Sequence, residues 1–201
     1  MLEVKSTNLT KYLKTLMDLD ILERRVPVTE ENPEKSKRGL YKIKDNYLRF
    51  WFAFIYPNMS FIESGHSGIV MDKIRRGLTT SHIGFVYEDI CQERMWELNV
   101  NNAWPFQFSQ LGGYWDAKNE IDIAALDPEG KNLILGECKY WKEPVGLNVL
   151  HALETKACDV AWERDRRKVW YVLFSISGFS DELCAHAATR DDLLLIDDRG
   201  R

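Results

Sequence analysis

Charged side chains in two neighbouring stretches of the chain have the types and the spacing needed to hold a cation. Glu137 and Lys139 lie two residues apart in an apolar run, so they project from the same face of a strand while Cys138 points the other way. Glu120 and Asp122 have the same spacing in the preceding run. If the two runs pair, carboxylates and an ammonium converge on one patch. Such a patch is costly to desolvate unless a cation or a reaction uses it.

A tight turn is predicted between these two runs. The segment Asp127-Pro-Glu-Gly130 separates them, and its Pro and Gly supply a preset φ and a permissive turn residue. Residues 119–140 are therefore predicted to form a β-hairpin. The ordinary interpretation of its charges is a surface ion pair of Glu137 with Lys139 or Asp122, contributing ~0–1 kcal/mol.

The composition limits the class of protein. With 201 residues and 45% hydrophobic content, the chain can bury a core as one large domain or two small ones. The net charge of −4 does not indicate a nucleic-acid binder, so any such role needs local basic clusters. Four cysteines without a CxxC pair argue against zinc and disulfides. No apolar run approaches the ~20 residues of a membrane span, and we expect a cytoplasmic protein without membrane contact.

The N-terminal part predicts one helix and a long-looped hairpin. Apolar residues recur at helical spacing over 6–22, and alternating runs at 21–28 and 40–44 flank the polar loop 29–39. This order resembles the second half of a winged helix-turn-helix. The resemblance implies a first helix in a major groove and Lys35, Lys37 and Arg38 on phosphates.

Other interpretations of this part stay open. Winged helices also act as protein–protein or interdomain modules, and the acidic residues of the loop dilute its positive charge. Only one clear helix precedes the hairpin. We therefore expect either a fragment of a longer chain or a domain completed by another subunit.

Two further segments precede the second half of the chain. Residues 47–61 are rich in aromatic side chains and predict a helix buried between elements or against a partner. The glycines and the basic residues Arg75 and Arg76 mark 66–80 as a connecting segment. The predicted organisation is a partial winged helix with the aromatic helix over 1–58, a connecting helix over 59–82 and an α/β domain over 83–201.

The second half alternates helical and extended patterns. A helix is predicted at 83–98, with Glu88 on or beside its apolar stripe, followed by an extended run at 104–115. After the hairpin come a helix at 147–161 and a continuous apolar strand at 168–174, typical of a central, doubly covered position. A short helix at 181–189 and a strand at 193–196 complete a mixed α/β domain with the order αβββαβ and a further αβ pair.

This order, with an acid on the first helix, resembles the PD-(D/E)xK nuclease superfamily, which has the restriction-endonuclease-like fold. The resemblance matches Glu88 to the first-helix acid, Asp122 to the strand acid and Glu137-Cys138-Lys139 to the acid-x-lysine element. Ile121 stands where the superfamily often has proline.

A second resemblance covers nearly the whole chain. The segments Tyr41–Phe52, Phe85–Glu88, Gly112–Trp115, Glu120–Ile123 and Gly136–Lys139 are similar to the C-terminal region of archaeal-type AAA+ ATPases. In that family a P-loop ATPase domain comes first, then a winged helix and a nuclease-like module. The chain has no Gly-rich GKS or GKT loop, so ATP binding is not implied. The resemblance implies a missing N-terminal ATPase domain or an ATPase partner.

The expected chemistry is phosphodiester hydrolysis with Mg²⁺ or Mn²⁺. Asp122, Glu137 and the backbone carbonyl of Cys138 would supply oxygen ligands, and Glu88 would hold a second cation or a metal-bound water. Lys139 would activate the attacking water or stabilise the developing charge. Glu120 is assigned a supporting position beside Asp122.

The substrate and assembly are expectations of the same kind. DNA is the expected partner, bound by the basic residues above and by Trp141 and Lys142 at the mouth of the site. A homodimer is expected because cutting both strands calls for two sites. The alternatives are an inactive DNA-binding or protein-interaction module and a nuclease that acts on RNA or tRNA ends.

Overall fold

The computed structural model describes residues 6–198, which form two compact units. The first comprises residues 6–26 and 33–82, and the second comprises residues 27–32 and 83–198. Within the described residues, no helix combines the length and the apolar character that crossing a membrane requires.

The first unit begins with a helix and a two-stranded antiparallel sheet. Helix α1 spans Ser6–Asp18, and strands β1 (Leu22–Arg25) and β2 (Leu40–Ile43) pair. The Arg24 guanidinium donates hydrogen bonds to the backbone carbonyls of Pro33 and Ser36, at 2.7 and 2.6 Å, and so holds the long loop between the strands. The helix and hairpin are as predicted. Their assignment to a winged helix stays a prediction.

The aromatic segment is helical but irregular. It comprises α2 (Asn46–Phe50), a π-helical turn, a 3₁₀ turn and α3 (Met59–Glu63), and α4 (Ser67–Leu78) follows. Pro57 lacks a backbone N–H and so interrupts regular α-helical bonding at the 3₁₀ turn. Of its large side chains Phe54 is buried, whereas four others are exposed in the described chain: Tyr47, Phe52, Tyr56 and Phe61. The described chain does not bury this segment as a whole, and burial against a partner stays a prediction.

The second unit is a five-stranded mixed sheet with helices on both faces. Its elements, in chain order, are α5 (Gly84–Val100), β3 (Gln110–Trp115), β4 (Glu120–Leu126), β5 (Asn132–Lys139), α6 (Leu147–Asp159), β6 (Lys168–Ser175), α7 (Asp181–Ala187) and β7 (Leu193–Asp197). The strand order is β3-β4-β5-β6-β7, antiparallel from β3 to β5 and parallel from β5 to β7. The predicted mixed α/β class and the αβββαβ element order are confirmed.

Two apolar cores lie on the two faces of this sheet. One face packs on α6 and α7 through residues such as Leu150, Leu153 and Leu183, and the other packs on α5 through Cys91 and Met95. In β6, Leu173 belongs to the first core, whereas Val172 and Phe174 belong to the second. The doubly covered position predicted for this strand is confirmed.

Two details differ from the sequence-based expectation. The extended run predicted at 104–115 is a strand only from Gln110, because the Asn99 side chain exchanges two 3.0 Å hydrogen bonds with the backbone of Phe108 and fixes the preceding segment as a loop. Residues 27–32 belong with the second unit, because the Val28 N–H donates to the Gly113 carbonyl of β3 at 3.0 Å and Val28 packs on the core beneath.

Gly136 allows β5 and β6 to approach closely just before the charged end of β5. A Cβ at this position would lie 2.5 Å from Val172 Cγ1 and 2.8 Å from the Val172 carbonyl oxygen. Gly136→Ala is therefore expected to lower the free energy of unfolding by about 1–3 kcal/mol, measured by urea denaturation. Gly68→Ala is the matched control, because its Cβ would meet no atom within 4 Å, and equal losses in the two variants would contradict this account.

Candidate functional site

A β-bulge in β4 sets the position of Asp122. Gly112 pairs with Ala124 and Tyr114 pairs with Ile121, so β4 has one more residue than β3 in this interval. As a result Ile121 and Ala124, three residues apart, pack in the same core. Bulges re-aim side chains and occur frequently next to active sites. Asp122 lies in this interval, and its carboxylate contacts the backbone and a side chain of β5.

At the bulge, β4 and β5 separate and the Asp122 carboxylate takes over a hydrogen bond of the ladder. The last paired residues are Ile123 and Gly136. Beyond them the Cys138 N–H donates to Asp122 Oδ2 at 2.8 Å instead of to a backbone carbonyl. A largely buried carboxylate, 16% exposed, is thereby fixed at the point where the two strands diverge.

Lys139 joins the two carboxylates of the site. Its ammonium donates to Asp122 Oδ2 at 3.4 Å and to Glu137 Oε2. The side chains are largely enclosed, with exposed fractions of 18% for Lys139 and 6% for Glu137. The sequence-predicted residues Asp122, Glu137 and Lys139 are thus brought together by the hairpin.

The two carboxylates differ in their pKa. Burial, reinforced by the negative charge of Glu137, raises the pKa of Asp122 above its ordinary value. Burial would also raise the pKa of Glu137, but the charges and hydrogen bonds of Lys139 and Lys156 outweigh it and lower that pKa. Glu137 is the firmly ionised member of the pair.

Lys139 is an ammonium in this setting. Burial alone would lower its pKa, but the charges of Asp122 and Glu137 outweigh burial and raise it. A lysine whose pKa is raised is a poor proton acceptor at neutral pH. Of the two roles expected from the sequence, stabilisation of negative charge fits this environment better than deprotonation of water.

Lys156 is a member of the cluster that sequence reasoning missed. It comes from the last turn of α6 and donates to Glu137 Oε1 and to the Glu120 backbone carbonyl, both at 2.7 Å. Its spacing of three from Leu153 places it beside the buried stripe of the helix. That position beside the buried stripe was the one feature of the sequence that could have indicated a contact between Lys156 and the sheet.

Glu88 lies on α5 across the sheet from Glu137 and Lys139. Cys138, which packs on α5, has a raised pKa because of burial first and then Cys91, Asp122 and Glu88, so the Glu88 charge acts on this region. One turn later, Gln92 donates to the Asp122 carbonyl at 3.4 Å. Among residues 6–198, no three His, Cys, Asp or Glu side chains lie close enough together to hold a metal ion between them. A role for Glu88 at a second cation or a bound water stays a prediction.

The remaining predicted residues have clear positions. The shared face predicted for Glu120 and Asp122 stays a prediction, and Glu120 contacts the cluster through its backbone carbonyl, which accepts a hydrogen bond from Lys156. Trp141 is exposed, and the Lys139 ammonium lies 5.7 Å from its ring centroid. The basic residues predicted to bind nucleic acid are all exposed: Lys35, Lys37, Arg38, Arg75, Arg76 and Lys142.

The donor atoms fit a hard divalent cation. The Lys139 ammonium, itself a cation, contacts oxygens of both Asp122 and Glu137, so these oxygens converge within reach of one positive centre. Carboxylate and carbonyl oxygens are the ligands that Mg²⁺ prefers. Two carboxylates would therefore bind the cation. The Cys138 backbone carbonyl is the third oxygen ligand expected from the sequence.

The fold and this cluster define a mixed α/β protein with two acids and a lysine at the split between two strands. The chain belongs to a family described as archaeal and bacterial proteins of unknown function, whose profile matches residues 51–157.

Two known proteins are similar to the chain. An uncharacterised protein of Methanocaldococcus jannaschii is 40% identical over 139 residues, which cover 69% of this chain and 30% of that protein. The chain thus spans less than a third of the length of this relative. The crystal structure of a repair endonuclease from Pyrococcus abyssi aligns with a TM-score of 0.33 and 13% identity, covering 51% of this chain and 44% of that one. A similarity this low says nothing about activity.

Proposed function

We propose that the chain is a divalent-metal-dependent nuclease module that hydrolyses phosphodiester bonds of DNA. The observation that carries the proposal is the convergence of Asp122 and Glu137 on the Lys139 ammonium at the strand split. A buried pair of like charges is costly to maintain unless the protein uses it. Its position next to a β-bulge supports the same conclusion, because bulges occur frequently beside active sites.

The residues would divide the work as follows. Asp122, Glu137 and the Cys138 carbonyl would hold Mg²⁺ or Mn²⁺, which when bound neutralises charge on the phosphate and makes a hydroxide available. The attacking oxygen forms a bond to phosphorus, the bond from phosphorus to the leaving sugar oxygen breaks, and that oxygen takes up a proton. The Lys139 ammonium would donate to a non-bridging phosphate oxygen as negative charge develops.

DNA would be bound outside this cluster by stacking and by positive charge. Trp141 presents an exposed ring beside Lys139, and a base can stack on such a ring. The net charge of −4 opposes tight autonomous binding, because affinity for the backbone scales with the phosphates neutralised. We therefore propose that a partner supplies additional basic surface, and the sequence resemblance suggests an ATPase partner or an additional ATPase domain for this role. We also propose a homodimer, because cutting both strands calls for two sites.

Metal binding is the most direct test. Calorimetry with Mn²⁺ is expected to show binding at millimolar or tighter affinity in the wild type and its loss in Asp122→Ala, because that variant removes one carboxylate ligand. Asp165→Ala serves as the control, since it removes an equal charge from an exposed position away from the cluster. Binding that survives in Asp122→Ala would overturn the assignment of this residue.

A non-catalytic interaction module is the second candidate. The observation that favours it is the pairing of each Glu137 oxygen with a different lysine, which compensates the charge without a metal. This alternative predicts that Mn²⁺ binds neither the wild type nor the variant. It also predicts no cleavage of DNA at any concentration of divalent cation.

A further inference from the structure

Lys156 bridges the two strands at the point where they separate. Its ammonium holds Glu137 Oε1 on β5 and the Glu120 carbonyl on β4, each at 2.7 Å. It stands at the C-terminal end of α6, where the helix dipole favours a positive charge. The position is therefore compatible with a charged lysine before any ligand arrives.

The cluster is charge-balanced as the structure shows it. Asp122 and Glu137 contribute two negative charges, and Lys139 and Lys156 contribute two positive ones. Both oxygens of Glu137 are engaged, Oε2 by Lys139 and Oε1 by Lys156. A divalent cation that takes Glu137 as a ligand must therefore compete with an ammonium.

The two lysines are not equally placed to give way. Lys139 lies between both carboxylates and is 18% exposed, whereas Lys156 contacts one carboxylate and one carbonyl and is 29% exposed. The flexible stem of a lysine can carry its ammonium into water with little loss of hydration. Lys156 is thus the ammonium that can leave at lower cost.

We propose that Lys156 is a positioning residue that acts as an internal cation, holding Glu137 until a divalent metal ion displaces it. This inference rests on the metal site proposed above and adds the group that sets its affinity. Before displacement Lys156 holds one carboxylate oxygen of Glu137 in place. After displacement the Lys156 ammonium moves to solvent. The net charge around the metal is then lower by one positive unit than it would be if the ammonium had stayed.

The affinity for Mn²⁺ tests this exchange. Lys156→Gln removes the competing positive charge and is expected to lower the Mn²⁺ dissociation constant about tenfold, measured by calorimetry. The effect is smaller than the full Coulomb repulsion between Mn²⁺ and an ammonium held beside it, because in the wild type the ammonium can move into water. Lys131→Gln is the matched control, since it removes the same charge from an exposed pair with Glu129 and is expected to leave the affinity unchanged.

A measurement on the wild type tests the same exchange even if the Lys156→Gln variant fails to fold. Acetylation of lysines, followed by mass spectrometry, is expected to label Lys156 several-fold faster with saturating Mn²⁺ than without it, with Lys131 as the internal reference. Tighter binding by Lys156→Gln or faster labelling of Lys156 supports the exchange.

The negative outcomes separate the two proposals. Mn²⁺ binding that is unchanged or weaker in Lys156→Gln, with labelling of Lys156 unaffected by the metal, overturns the exchange and leaves the metal site standing. Absence of Mn²⁺ binding in both wild type and Lys156→Gln overturns the metal site and this inference together.

Discussion

Lys139→Met is expected to lower the free energy of unfolding by about 3–5 kcal/mol at pH 7, because it leaves two buried carboxylates without the ammonium that joins them. Lys156 remains as a partner for Glu137 but contacts only one of the two. Asp122 is the more affected, since its pKa is already raised by burial and by Glu137 while Lys139 opposes the shift.

The loss should depend on pH in a defined direction. Without Lys139, the pKa of Asp122 rises further above its unfolded value, because Lys139 is the charge that opposes burial and Glu137. A carboxyl whose folded pKa is raised contributes stability below its unfolded pKa and loses that contribution as the pH rises through the folded pKa. The difference between wild type and Lys139→Met is therefore expected to be small near pH 4 and to grow towards pH 7.

Urea denaturation followed by circular dichroism at several pH values measures this difference. Lys131→Met serves as the control, because its exposed pair with Glu129 contributes little at any pH. A loss for Lys139→Met that is below about 1 kcal/mol, or equal at pH 4 and pH 7, would show that the charges of the cluster are not coupled as the contacts indicate.

Much of the second unit could be predicted from the sequence, because its signals are local. The turn Asp127-Pro-Glu-Gly130 and the flanking β-formers define the hairpin, and the alternation of β5 places Glu137 and Lys139 on one face. The turn forms as predicted, with Gly130 at a φ of +69° and the Glu129 N–H donating to Asp127 Oδ1 at 2.6 Å. Both features depend only on residues close in the chain.

The rest of the site depends on tertiary contacts that no local pattern encodes. The register shift beside Asp122 arises from pairing with β3, and no local pattern in β4 indicates it. Lys156 is distant in sequence from Glu137, and only the packing of α6 on the sheet brings them together. The pairing of Val28 with β3 likewise joins a segment of the first half to the second unit.

Asp122→Asn is expected to separate activity from stability. If the chain is a nuclease, cleavage should fall about a thousandfold or more, because a neutral amide cannot supply the charge that a cation ligand provides. The free energy of unfolding should stay unchanged or rise, since burial and Glu137 disfavour the ionised form of Asp122, as its raised pKa shows. The amide oxygen of Asn can still accept the hydrogen bond from the Cys138 N–H.

Asp116→Asn is the matched control, because the same substitution there should act in the opposite way. Asp116 accepts hydrogen bonds from the backbone N–H groups of Lys118 and Asn119, at 2.7 and 2.8 Å, and these bonds lower its pKa. Folding favours its ionised form, so Asp116→Asn should lose stability and keep cleavage. Cleavage at the wild-type rate by Asp122→Asn would overturn the assignment of Asp122 as a metal ligand. If stability and cleavage are both lost, Asp122 is instead a structural ion-pair residue.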